Sequence, residues 1–209
     1  MLKAIELKTD LLLGFFIVSL VLANTLGTKI TTLLGVRVSA GIFFIPLLFL
    51  ITDIIAEVHG KKKATEFVLI AIAVLVFTLV MMYFSINLPA NTTWGGQEHF
   101  AFVFGSSLRM TIASVIAFVL SQFHDVWSFH FWKAKTKGKY LWLRNNLSTF
   151  ISQFIDTVIF MFIAFYHLTP KFTVPFIISL IIPYWLFKIG FALIDTPFCY
   201  AGVRWLRKE

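Results

Sequence analysis

The chain has 209 residues, of which 59% are hydrophobic and 13% are charged, and its mean hydropathy is +0.88. Charged residues make up about 25% of an ordinary soluble domain, so this composition excludes a soluble globular protein and indicates an integral membrane protein. The net charge of +8 does not indicate a nucleic-acid partner, because the basic residues stand in short segments beside apolar stretches. The single cysteine excludes an internal disulfide.

Six apolar stretches are long enough to cross a bilayer as helices, for which about 20 residues suffice. We therefore predict an all-α polytopic membrane protein, a bundle of six transmembrane helices that forms one domain over residues 1–209. Pro46 and Pro183 predict kinks in the second and sixth spans, whereas Pro175 falls in a first turn, where proline is tolerated. The predicted spans cover residues 11–29, 38–57, 65–86, 108–126, 147–166 and 174–197.

Lysine and arginine predict the orientation, because cytoplasmic segments of membrane proteins carry an excess of both. With an even number of spans, the two termini, the second connecting segment and the fourth share one side, and 13 of the 18 basic residues lie there. The opposite side holds Lys29, Arg37 and Lys171, and the other two basic residues lie within spans. Both termini are therefore predicted to be cytoplasmic. The segment 87–107 has no lysine or arginine and is predicted to be external.

Ionisable residues inside the predicted spans are the strongest functional signal. Each costs roughly 2.5–3.5 kcal/mol at membrane depth, so it is retained where it faces protein or a wet cavity. Seven such groups indicate a polar site between helices rather than a simple anchor. They are Asp53, Glu57, Arg109, Asp125, Asp156, Lys188 and Asp195.

Asp53 and Glu57 are four residues apart and therefore share one helix face. Two carboxylates on one face repel each other unless a cation, a proton or a donor-rich ligand lies between them. The alternative for Glu57 is an interfacial position, in which it pairs with the lysines of Lys61–Lys63.

The pentapeptide pattern Ser-Gln-Phe-x-Asp occurs twice, once in the fourth span and once in the fifth. Each copy places a glutamine and an aspartate three residues apart on one helix face, Gln122 with Asp125 and Gln153 with Asp156. Glutamine both donates and accepts hydrogen bonds and aspartate accepts them, which suits a planar ligand with an amide-like edge. The alternative is that these groups bond to neighbouring helices, as polar residues in membranes often do.

Asp156 lies nine residues from the predicted cytoplasmic start of its span, and Lys188 lies nine residues from the cytoplasmic end of its own. At about 1.5 Å of rise per residue, both lie roughly 13–14 Å deep. An ion pair between them is therefore predicted, either as a structural salt bridge or as a pair that a substrate or a proton opens.

Four further residues are candidates for the site. Asn24 precedes a glycine near the external end of the first span, and unwound helix ends of this kind form binding sites in transporters, although a simple helix cap is the alternative. Arg144 and Asn145 open the fifth span, where Arg144 is equally compatible with a topology anchor. Trp185 lies deeper than the other tryptophans and is a candidate for stacking. Neither metal-ligand spacing nor a nucleotide-binding loop is visible, so no metal and no cofactor are predicted.

Four segments carry a family resemblance: Leu22–Lys29, Asp53–Gly60, Trp142–Thr149 and Asp195–Phe198. They resemble the queuosine precursor transporter family, also called vitamin uptake transporters. The resemblance spans nearly the whole chain, and Asp53–Gly60 is its most specific part. It implies six transmembrane helices in a bacterial inner membrane. It also implies import of 7-cyano- and 7-aminomethyl-7-deazaguanine, which are precursors of queuosine in tRNA, into the cytoplasm.

We therefore expect a secondary transporter for a small 7-deazaguanine base, with the lipid bilayer as its surroundings and no nucleic acid as a partner. Asn24, Gln122, Asn145, Gln153 and Asp156 supply donors and acceptors that such a base needs. The alternative is the substrate-binding membrane subunit of an ATP-driven vitamin importer. An enzyme and a channel fit less well, because the sequence has neither a convincing catalytic pair nor a ring of one charge sign. A homo-oligomer is compatible with the sequence.

Overall fold

The computed structural model describes residues 2–33, 36–137 and 141–207 of the chain. Within those ranges it is mostly helical, with one short antiparallel hairpin between the first two helices. The helices are α1 Leu2–Thr25, α2 Ile45–His59, α3 Lys61–Asn87, α4 Gln97–Lys135, α5 Leu141–Phe165 and α6 Val174–Arg207. The hairpin consists of β1 Ile30–Leu33 and β2 Val36–Ser39.

Four of the described helical stretches are long and apolar enough to cross a membrane: Ile5–Thr28, Ala40–His59, Lys62–Asn87 and Gln97–Ser121. Two further apolar stretches, Phe150–Phe165 and Val174–Gly190, are shorter in the part of the chain that the structure describes. The protein is therefore a helical, polytopic membrane protein, as the hydropathy predicted. The number of six spans stays a prediction.

The segment that joins the first two spans differs from the prediction. α1 ends at Thr25 and a 3-10 turn follows, so the first helix does not extend to Lys29. The predicted start of the second helix at Val38 is also wrong, because Val38 lies in β2 and pairs with Thr31 of β1. Five of the eight strand residues are Ile, Val or Thr, and these β-branched side chains favour strands.

The second span is helical from a later residue than predicted. A 3-10 turn, Ala40–Phe43, precedes α2, which begins at Ile45. Pro46 therefore stands in the first turn of α2, where its missing N–H has no helical partner to lose, and the reason for predicting a kink there disappears. α6 runs through Pro183 as one helix.

A single residue, Gly60, joins α2 to α3. Its φ of 86° and ψ of 166° lie in a backbone region that is essentially open to glycine alone. A Cβ on Gly60 would meet nothing within 4 Å, so the backbone conformation rather than packing requires glycine here. This short link lets α2 and α3 pack directly against each other.

The chain forms two compact units. Unit 1 comprises Met1–Thr111 and Gly190–Glu209, and unit 2 comprises Ile112–Ile189, so α4 and α6 contribute residues to both. The organisation as one domain stays a prediction.

Unit 1 has an apolar core to which α1, α2, α3 and the end of α6 contribute, including Phe16, Ile55, Phe67 and Leu206. Near that core, Lys8 Nζ donates to the carbonyl oxygen of Trp205 at 3.0 Å and lies 5.3 Å from the centre of the Trp205 ring.

Unit 2 buries small residues along its part of α4. Ala113, Ala117 and Ser121 stand four residues apart, and each is at most 6% exposed. Small side chains at this spacing let membrane helices approach closely without a loss of packing. The buried side chains on this face of α4 are therefore small.

Candidate functional site

The centre of unit 2 is an ion pair between α5 and α6. Nζ of Lys188 donates to Oδ2 of Asp156 at 2.7 Å. The Lys188 side chain is 9% exposed and the Asp156 side chain 21%, so both charges lie largely inside the protein. The pair predicted from equal depth in the two spans is therefore confirmed. Whether it contacts a ligand is a separate question of function.

Each member of this pair requires the other. A single charge in an apolar helix is costly, and removing one partner of a buried pair typically destabilises a protein by about 3–5 kcal/mol. The contacts of the described side chains nevertheless leave part of the hydrogen-bonding capacity of this pair unused. Among the described residues, Lys188 is the hydrogen-bond donor to Asp156, and its donor atom contacts one of the two carboxylate oxygens. A carboxylate accepts several hydrogen bonds and an ammonium donates three, so both groups retain bonding capacity.

Gln153 stands one helical turn before Asp156 on α5. Its Oε1 is buried and has no hydrogen-bond partner among the described residues. A buried acceptor without a donor costs about 1–3 kcal/mol, so most such atoms in proteins are satisfied. An unsatisfied acceptor three residues from a buried carboxylate is therefore a place where a ligand donor would be stabilising.

Trp185, the aromatic candidate, stands one turn before Lys188 on α6. Its indole Nε1 donates to the carbonyl oxygen of Phe150 at 3.2 Å. The Trp185 ring lies edge-to-face against Phe150 and Phe154, with centroids 4.3 and 5.4 Å apart. These contacts fix the indole plane, and aromatic faces of this kind suit a flat heterocycle.

A second polar contact in unit 2 joins α4 to α5. Nδ1 of His124 lies 3.1 Å from Oγ of Ser152. The sequence analysis did not select either residue for the site. The signal was present, since both belong to the two Ser-Gln-Phe-x-Asp pentapeptides, of which only the glutamines and aspartates were chosen.

Five predicted site residues have side chains outside the part that the structure describes. Their backbones lie in α4, α5 and α6. Their assignment to a ligand site stays a prediction. They are Gln122, Asp125, Arg144, Asn145 and Asp195.

The remaining predicted residues lie in unit 1 rather than in unit 2. Asn24 is 4% exposed near the end of α1, and its Nδ2 donates to the carbonyl oxygen of Leu20 at 2.8 Å, which is the bond of a helical polar residue with its own helix. Asp53 of α2 is exposed and Arg109 of α4 is half-buried.

Glu57 has a different partner from the one considered in the sequence analysis. Its Oε1 lies 3.6 Å from Nη2 of Arg207, which also donates to the Glu57 carbonyl oxygen at 3.3 Å. Lys63 of the basic run pairs instead with Glu66 at 3.0 Å. Glu57 is therefore held by the end of α6, and both side chains of this ion pair are exposed.

A cavity of about 480 Å³ lies in unit 1 beside the beginning of α1 and the end of α2. The sequence analysis missed it, although Glu6 and Asp10 share a helix face through their spacing of four. At its wall, Thr9 Oγ1 lies 2.9 Å from His59 Nε2. The lining residues are Ile5, Glu6, Thr9, Asp10, His59 and Lys63.

Ionic and polar groups that lie largely inside the protein on apolar helices are typical of polytopic membrane proteins with a function beyond anchoring. The sequence matches the family described as "Putative vitamin uptake transporter" over residues 39–202, which is most of the chain, and the protein belongs to that family. The family resemblance predicted from the sequence motifs is thereby confirmed, and the classification as a transporter rather than an enzyme agrees with it.

Two bacterial relatives extend this assignment. The chain is 29% identical over 191 residues to the "Probable queuosine precursor transporter" of Bacillus subtilis (strain 168), and the alignment covers 90% of the chain and 82% of the relative. It is 28% identical over 153 residues to the "Queuosine precursor transporter" of Escherichia coli (strain K12), with 73% of the chain and 66% of the relative covered. No solved structure matches the chain at a significant level.

Proposed function

We propose that this protein imports queuosine precursors, the bases 7-cyano- and 7-aminomethyl-7-deazaguanine, across a bacterial inner membrane. The family and the names of the two relatives support the substrate class. The single structural observation that carries the proposal is the largely buried Asp156–Lys188 pair, in which each partner can make further hydrogen bonds beyond those seen among the described residues. Charged groups in apolar helices are costly to insert, so they are retained where they stabilise the fold or bind a ligand. A ligand with both donors and acceptors could bind Asp156 and Lys188 together.

The chemistry of a deazaguanine base fits this pair. Its pairing edge carries a carbonyl oxygen, an N1–H and an exocyclic amine in sequence. Asp156 accepts from the N1–H and the amine, and Lys188 donates to the carbonyl. Gln153 Oε1, which lacks a donor among the described residues, accepts from another N–H of the base. The aromatic cluster of Trp185 with Phe150 and Phe154 covers the ring face.

The topology that we propose has six spans, a single domain and both termini in the cytoplasm. The distribution of lysine and arginine supports it, since 13 of the 18 basic residues fall on the predicted cytoplasmic side. In this arrangement the base enters from outside, binds in unit 2 at mid-depth and is released inside by alternating access. Conversion of the base by cytoplasmic enzymes pulls net uptake, so proton coupling is an option rather than a requirement.

The alternative proposed from the sequence, a membrane subunit of an ATP-driven importer, is not favoured. The relatives that align with most of this chain are themselves named as transporters. The two mechanisms differ in one requirement: an autonomous transporter moves substrate without an ATPase partner.

The test is uptake of radiolabelled 7-deazaguanine bases by the purified protein in liposomes, with and without a proton gradient. Saturable uptake above that of empty liposomes is expected, and its dependence on the gradient decides proton coupling. Binding without uptake would indicate a missing energising partner. Neither binding nor uptake of either base would refute the proposed substrate class.

A further inference from the structure

The position of Lys188 relative to a bound base has a consequence for substrate charge. The ammonium of Lys188 is 2.7 Å from the Asp156 carboxylate and is nine-tenths buried, so the protein presents a fixed cation to the ligand. In the binding arrangement proposed above, the Asp156 carboxylate accepts hydrogen bonds from the N–H groups of the base, and the Lys188 ammonium donates to its 6-carbonyl oxygen. This inference rests on the proposed function.

The substituent that distinguishes the two precursors lies on the same side of the ring as that carbonyl. In a 7-deazaguanine, the 6-carbonyl carbon and C7 are both bonded to the same ring carbon. A group at position 7 therefore points past the carbonyl that Lys188 contacts. The cyano group is neutral and ends in an acceptor nitrogen, whereas an aliphatic amine is protonated at neutral pH.

In this arrangement the protonated aminomethyl group at position 7 lies close to the Lys188 ammonium. Like charges within about 4–6 Å disfavour each other strongly, and the surrounding apolar helices screen the repulsion poorly. The carboxylate of the pair offsets this repulsion only in part, because in this arrangement Asp156 lies at the N1–H and the exocyclic amine, farther from position 7 than the ammonium at the carbonyl. We propose that Lys188 is a specificity-determining residue, and that it makes the site take the neutral 7-cyano base in preference to the cationic 7-aminomethyl base.

The first test uses the unaltered protein and a matched pair of ligands. 7-Hydroxymethyl-7-deazaguanine has nearly the size of the aminomethyl base but no charge. We expect the purified protein in detergent to bind the hydroxymethyl and cyano bases at least about tenfold more tightly than the aminomethyl base, measured by calorimetric titration. Equal affinities for the hydroxymethyl and aminomethyl bases would overturn the inference and leave the proposed function standing. Failure to bind any of the three bases would instead count against the proposed function.

The second test removes the positive charge of Lys188 from the protein. Lys188→Met removes the ammonium and should shift the ratio of aminomethyl to hydroxymethyl affinity toward the cation by about tenfold or more. Lys171→Met is the matched control, because Lys171 is an exposed lysine of the segment between α5 and α6 and should leave the ratio unchanged. A folded Lys188→Met protein with an unchanged ratio would contradict the inference. If this variant does not fold, the ligand comparison on the unaltered protein still decides.

Discussion

The hydroxyl oxygen of Thr9 lies within hydrogen-bond distance of two groups. Oγ1 donates to the carbonyl oxygen of Ile5 at 2.7 Å in α1, and the same oxygen lies 2.9 Å from Nε2 of His59. With the Thr9 hydroxyl donating to Ile5, the contact between Thr9 and His59 corresponds to the His59 tautomer that is protonated at Nε2. This tautomer links the beginning of α1 to the end of α2.

Replacing Thr9 with valine tests that link. The variant keeps the side-chain shape and removes the oxygen that accepts from His59, so we expect the free energy of unfolding to fall by about 0.5–1.5 kcal/mol. Thermal unfolding in detergent measures it. Thr78→Val is the control, because the Thr78 hydroxyl donates only within its own helix, to Val74 at 2.8 Å, as far as the described contacts extend. If the two variants lose the same free energy of unfolding, the effect comes from the hydroxyl's bond to its own helix and not from the contact with His59.

Replacing Asp156 with asparagine tests the ligand site itself. Asparagine preserves the volume but cannot take two N–H donors as a carboxylate does, and it leaves Lys188 without its counter-charge. We expect uptake in liposomes to fall by about tenfold or more, since hydrogen bonds to charged groups contribute roughly 1.5–3 kcal/mol. Glu98→Gln, at an exposed carboxylate in the first turn of α4, is the control for loss of one negative charge. Normal uptake by a correctly inserted Asp156→Asn protein would remove Asp156 from the site.

The sequence predicted the Asp156–Lys188 pair because depth along a membrane helix depends only on residue count and helix rise. It did not predict the ion pair between Glu57 and Arg207, whose side chains lie 3.6 Å apart in unit 1. They are 150 residues apart, and their contact depends on how α2 and α6 pack. Residue patterns fix the depth of a group along its helix, but the direction in which that group points depends on the neighbouring helices.

Among the connections that the structure describes in full, the Gly60 link has a backbone conformation that is essentially restricted to glycine. Ala at this position would need a backbone conformation that residues with a Cβ rarely adopt, and strain of this kind costs about 1–3 kcal/mol. We therefore expect Gly60→Ala to lower the unfolding temperature in detergent. Gly14→Ala is the control, because Gly14 lies inside α1 with nothing within 4 Å of a Cβ, and alanine there favours the helix.

A neutral effect of Gly60→Ala, alongside a neutral or stabilising Gly14→Ala, would contradict the strained conformation of the link. The prediction also gives a physical reason for part of the family resemblance. The segment Asp53–Gly60 was its most specific part, and the last residue of that segment is the one whose conformation requires glycine.

The hairpin β1–β2 shows why the elements between spans were harder to predict than the spans. A hydropathy window of about 19 residues averages over a strand of four, so the predicted second helix includes Val38, which lies in β2. The local propensity of Ile, Val and Thr pointed to strands. Hydropathy predicts membrane segments, whereas the structure between them depends on short-range preferences that the window removes.

The orientation of the whole molecule should depend on the basic residues at the start of α3. Replacing Lys61, Lys62 and Lys63 with glutamine removes three of the charges that retain this end of the span in the cytoplasm. We expect a larger fraction of misoriented or degraded protein, read from a fluorescent protein fused to the C-terminus that matures only in the cytoplasm. Lys171→Gln is the control, because it removes a lysine from the opposite predicted side.

Ligand affinity should be nearly unchanged in the correctly oriented fraction of this triple variant. The reason is that Lys63 pairs with the exposed Glu66 at 3.0 Å and not with a residue of the proposed site. A large change in affinity with normal orientation would contradict the assignment of these lysines to topology.

α4 is longer than the bilayer requires. Its 39 residues extend over about 58 Å, while a hydrocarbon core of about 30 Å needs about 39 Å of helix even at a tilt of 40°. Beyond the apolar stretch that ends at Ser121, the helix carries Trp127 stacked on Phe131 at 5.5 Å and Lys135 at 5.3 Å from the Phe131 ring. Aromatic and basic side chains are suited to headgroup depth. We therefore expect the headgroups of a thinner and of a thicker membrane to lie at different turns of α4.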